Sequence, residues 1–139
     1  MYSNSKRARR TNPFATDIKT SEADYQLQAH HFAEAERLYR DAMAETPDDS
    51  QPIFGLAEVF RQQRRYDDTI ATLRQAYAVL GTADSIPALT NAAGEHGLRQ
   101  IEHEAAVAEV HMLEQASAHT YVSPLLLAAA HARAGNTAE

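Results

Sequence analysis

The chain has 139 residues, 44% of them hydrophobic and 23% charged, which is the make-up of one ordinary folded domain. It has no cysteine, so disulfides, thiolate metal sites and cysteine nucleophiles are excluded, and no apolar run near the roughly 18 residues of a membrane-spanning helix. The net charge of −6 is uneven: Lys6, Arg7, Arg9 and Arg10 are four of the thirteen basic residues, leaving nine against nineteen acidic ones over 11–139, a balance unsuited to general nucleic-acid binding.

Residues 1–15 read as a basic, flexible N-terminal segment. Lys6–Arg10 is followed by Thr-Asn-Pro rather than an apolar stretch, so it is not a secretory signal, and a cytoplasmic location is expected. From residue 16 onward the chain is rich in alanine, with few β-branched runs and only five Gly and five Pro in all, a composition that favours helices. Residue types then recur. Ala35, Tyr39, Ala42 and Pro47 return as Thr69, Leu73, Ala76 and Gly81, and at the same spacing Ala23 and Phe32 return as Ala57 and Tyr66. A third copy, after a short insertion, carries Gly94, His103, Ala106, Val110 and Leu113, and a fourth begins with Leu127-Ala128. The small positions 23, 57, 94 and 128 thus mark a period of about 34 residues.

Each copy has the pattern of two antiparallel helices. In the second, Ile53, Leu56, Ala57 and Phe60 make one helical face, Arg64-Arg65-Tyr66-Asp67 makes the turn, and Ile70, Leu73, Ala76, Tyr77 and Leu80 continue as the second helix to Gly81. Asp48-Asp49-Ser50 and Pro52 supply the capping and first-turn residues of the helix that follows them. In the third copy His103 takes the aromatic position of Phe32 and Tyr66, and Gly97 is expected to end a helix or to loosen this degenerate unit.

These spacings resemble the tetratricopeptide repeat family, through Leu56-Ala57, Phe60, Tyr66, Leu73 and Ala76. The resemblance implies an all-α, right-handed superhelix of antiparallel helix pairs, with about three repeats near 16–49, 50–83 and 87–120 and a final single helix in 121–139. It also implies a non-enzymatic adaptor whose concave groove takes a partner peptide or helix. The groove positions carried over are Asp24 and Leu27, then Phe54, Glu58 and Arg61, then Asn91, Glu95, Leu98 and Arg99. Phe54, Leu27 and Leu98 would be apolar anchors, with Arg61 and Arg99 available to a carboxylate. Family members that clamp a chaperone's terminal carboxylate do so with Lys and Asn. Here Thr20, Asp24, Gly55, Ala88 and Ala92 stand at those positions, so no such clamp is expected.

No cofactor and no metal are expected. The seven histidines include no HExxH and no i, i+4 pair; serines lack a nucleophile elbow, and no glycine-rich phosphate loop is present. The run Leu125-Leu126-Leu127 followed by three alanines is apolar almost all round a helix, so Leu125, Leu126 and Leu127 are candidates for self-association with a second copy. The segment Tyr121–Pro124 is similar to tetratricopeptide segments of bacterial regulators, which leaves a regulatory piece of a larger signalling or transcription protein as a further alternative.

Overall fold

Two tight turns, at equivalent positions of successive helix pairs, organise the first part of the chain. The computed structural model describes residues 13–135, with side chains from Ile18 onward; Lys6–Arg10 lies outside them. Helix α1 spans Pro13–Gln28 and α2 Phe32–Glu45; α3 spans Gln51–Gln62 and α4 Tyr66–Leu80. After α1, His30 takes a left-handed backbone (φ 61°) and the His31 N–H donates to Gln26 O at 2.8 Å. After α3, Arg64 does the same (φ 60°) and the Arg65 N–H donates to Phe60 O at 2.9 Å. Both closures satisfy carbonyls that a helix end leaves without partners. Each turn also carries a ring contact: His30 stacks on Phe32 at 5.5 Å, and the Arg65 guanidinium lies 4.5 Å from the Phe60 ring centroid. The predicted helix pairs are therefore present in residues 13–81, although α1 starts at Pro13, inside the segment expected to precede the domain.

The core of this unit follows the same period. Ala23 and Ala57, Ala35 and Thr69, Tyr39 and Leu73, and Ala42 and Ala76 are all buried. The small members let helix axes approach, and the large ones fill the spaces left between them. Buried Thr69 and Thr72 satisfy their hydroxyls locally, each donating to a backbone carbonyl one turn back at 2.8 Å. Asp49 Oδ1 accepts the Gln51 N–H at 3.0 Å at the start of α3, and Gly81, at φ 77°, closes α4.

A second compact unit begins at Thr82. It contains a short 3₁₀ turn at Ala83–Ser85, then α5 (Ala88–Asn91), α6 (Gly94–Ser117) and α7 (Pro124–Arg133). Here the expected third repeat is not a helix-turn-helix. Residues 94–117 form one continuous 24-residue helix. His103 is exposed and anchors no turn, in contrast to the partly buried Phe32 and Tyr66. The run Gln100–Glu109 has no Gly or Pro to stop it and is rich in strong helix formers. The chain breaks earlier, in extended backbone at Ala92 and Ala93, before Gly94 enters α6 at φ 68°.

The buried side of α6 changes along its length. Gly97, Leu98 and Ile101 are buried in its first half; Ala106 and Val110, with Leu113 beside them, pack on Ala130 of α7 and on Ala134 just after it. The five-residue step from 101 to 106 rotates the buried stripe by about 140°. Two expectations are corrected by this packing. Gly97 lies inside a helix rather than ending one, and Ala128 is exposed while Ala130 in α7 and Ala134 at its C-cap are the small buried positions. Among the described helices none is long and apolar enough to cross a membrane.

Candidate partner-binding face

The seam between α1 and α3 is set by a large side chain and a missing one. Tyr39, from α2, has 0% of its surface exposed. Its ring lies against Gly55 of α3, where a Cβ would overlap Tyr39 Cε1 and Cζ and come within 2.8 Å of Cδ1. The hydroxyl emerges beyond the ring and donates to Asp24 of α1. A glycine inside a helix costs about 1 kcal/mol relative to alanine, and here it gives the tyrosine ring its seat.

Electrostatics mark the same spot. Burial, then the hydrogen bond to Asp24, then the negative charges of Asp24 and Glu58 push the Tyr39 phenol well above its ordinary ionisation range. Glu58 is half-buried, and burial alone would raise its carboxyl. Hydrogen bonds from Arg61 and Gln62, together with the Arg61 charge, outweigh that and hold it below its usual range. Arg61 grips Glu58 in a fork, Nε to Oε1 at 2.8 Å and Nη2 to Oε2 at 2.7 Å, and Gln62 Nε2 donates to Oε2 at 3.0 Å. Phe54, one turn before Glu58 and half-buried, meets the Tyr77 ring edge-on at 5.1 Å.

Of the residues expected to line a groove, Asp24, Phe54, Glu58 and Arg61 belong to this unit and retain accessible surface. Leu27 does not: it is 8% exposed and packs in the core with Ala23, Ala35, Leu38 and Tyr39. Leu98 is also a core residue, 3% exposed, so neither leucine is an anchor for a partner. Arg61 is engaged by Glu58 rather than waiting for a carboxylate. Asn91, Glu95 and Arg99 are exposed in the second unit. Sequence reasoning did not pick out Tyr39 as part of this face; the available signal was Gly55, an isolated glycine in a helical pattern, which often marks a close approach.

In the second unit Leu125 is 80% and Leu126 47% exposed, while Leu127 is partly covered. Helix α7 is tied to α6 by Arg133 Nη2 to Glu109 Oε1 at 2.6 Å, with His131 Nε2 at 3.7 Å from Glu114 Oε2. Among the described residues no three His, Asp or Glu side chains gather in a way that could hold a metal ion.

Antiparallel helix pairs repeated at a fixed period, closed by the same turn, define residues 13–81 as a helical-repeat unit. Residues 26–79 match the family model of the tetratricopeptide repeat, a stretch that contains both turns, and that part of the chain is a tetratricopeptide repeat. No curated protein and no solved structure matches the chain. Tetratricopeptide repeats are typically protein–protein interaction modules and are generally non-catalytic.

Proposed function

We propose that the chain is a non-enzymatic adaptor whose α1–α3 face, formed by Asp24, Phe54, Glu58 and Arg61, holds a segment of a protein partner. The observation that carries this reading is Phe54. It is a large aromatic left half-covered one turn from a fixed carboxylate–guanidinium pair, which combines an apolar anchor with orienting polar groups. The side chains around it are already held in place by Tyr39, Tyr77 and Gln62, so little ordering would accompany binding. The full chain used as bait should lose its specific partner by about tenfold or more with Phe54→Ala, and keep it with Arg40→Ala, whose side chain is on α2 and pairs with Glu36. Equal retention by both variants would remove the assignment of this face.

A second reading, self-association through α7, is supported by the exposure of Leu125 and Leu126. Light scattering over a concentration series should then show a mass above the monomer for the wild-type chain and a monomer for Leu125→Glu with Leu126→Glu. A wild-type monomer at every concentration rules this reading out.

A further inference from the structure

We infer that the partner segment taken by the α1–α3 face is basic, a lysine or arginine of the partner reaching Asp24 while an apolar neighbour rests on Phe54. This rests on the adaptor reading above and adds to it the polarity of the ligand.

Donors and acceptors along the seam are unevenly matched. Tyr39 has one hydroxyl proton, and it goes to Asp24. Arg61 Nε and Nη2 and Gln62 Nε2 donate to Glu58. Asp24 is exposed, and a carboxylate offers about four lone-pair sites, of which the phenol occupies one. It meets no cation among the described residues. The carboxylates of α2 differ in this respect: Glu34 and Asp41 pair with Arg37, Glu36 with Arg40, and Glu45 with Lys19. Negative charge on α2 is thus neutralised within the unit, as is Glu58 on the inner seam by Arg61, whereas the charge of Asp24 is left to an incoming group.

Position reinforces the point. Phe54 and Glu58 are four residues apart on α3 and share a helix face, and Gly55, between them, touches the ring whose hydroxyl reaches Asp24. A ligand side chain lying over Phe54 is therefore within a residue or two of Asp24. An acidic ligand would meet the Asp24 charge directly; a basic one would satisfy its open acceptor sites. Because Asp24 is exposed and screened by salt, the expected effect of this contact is about fivefold to tenfold in affinity rather than more.

The test is an NMR titration of the full ¹⁵N-labelled chain with two synthetic twelve-residue peptides of identical apolar positions, one carrying lysines and the other glutamates. The lysine peptide should shift the amides of Phe54, Gly55 and Glu58, bind more weakly as salt rises, and lose about fivefold to tenfold in affinity with Asp24→Asn, which keeps an acceptor for Tyr39. Equal or tighter binding of the glutamate peptide at the same amides overturns the polarity and leaves the adaptor face standing. Shifts confined to other residues, or none with either peptide, overturn both. A tenfold gain in affinity when Lys6, Arg7, Arg9 and Arg10 are replaced by serine would make the chain's own basic segment the occupant and overturn the assignment to an external partner.

Discussion

Tyr39→Ala is expected to lower the stability of the tetratricopeptide unit by about 3–5 kcal/mol, the range seen when a buried aromatic is truncated. The ring is fully buried and lies against a glycine, which has no side chain with which to fill the space left behind. Gly55→Ala attacks the same contact from the other side. Elsewhere in a helix that change is favourable by about 1 kcal/mol, but here the new methyl meets the Tyr39 ring and the expected result is a loss of about 1–3 kcal/mol. Urea unfolding followed by circular dichroism measures both, and the double variant Tyr39→Leu with Gly55→Ala should recover part of the loss by moving volume across the interface. Tyr39→Phe should be milder, because Asp24 is exposed and water can replace the lost donor. The phenol's ionisation is raised on folding, so its contribution to stability is complete below about pH 10 and is lost as pH rises beyond that. Stability that declines equally in alkali for Tyr39→Phe and wild type would show that the buried phenol is not the titrating group.

This pair also shows where the sequence was legible. The repeat period, the two turns and the alternation of small and large core residues were readable, because repeating units must bury equivalent faces against one another. The Tyr39–Gly55 fit is a departure from the period: the position equivalent to Tyr39 in the next repeat holds Leu73, and the position equivalent to Gly55 in the one before holds Ser21. A complementarity that occurs once has no repeat to announce it. Leu27 and Leu98 were misread for a related reason, since a position that lines a groove and one that meets the core can be a single residue apart on a helix. In the second unit the spacing of Ala106, Val110 and Leu113 correctly marked a buried stripe. The period aligns the small position Gly94 with Ala23 and Ala57, which lie inside helices, whereas Gly94 takes a positive φ and opens α6. What remains outside such reading is the ligand, because a binding face is defined by the groups left unsatisfied, and those emerge only when the helices are packed.

Gly97→Ala should destabilise the second unit by about 1–3 kcal/mol, against the usual sign for a glycine inside a helix. A Cβ at this position would lie 2.9 Å from the carbonyl carbon of Ala92, 2.9 Å from its Cβ and 3.1 Å from its Cα. Two of those atoms are backbone, so no rotamer change relieves the clash; the extended link at Ala92–Ala93 or the first turns of α6 must move. That link also sets the position of α5, whose Ala88 N–H is held by Glu104 Oε1 of α6 at 2.8 Å, so the displacement strains a second tie. Hydrogen exchange should locate the effect. Amides around Leu98 and Ile101 are expected to lose protection before those around Ala106 and Val110, whose packing is on α7 and not on α5. A variant more stable than wild type, with protection raised throughout α6, would mean that Gly97 makes no close approach to Ala92 and serves only as a weak point in a long helix.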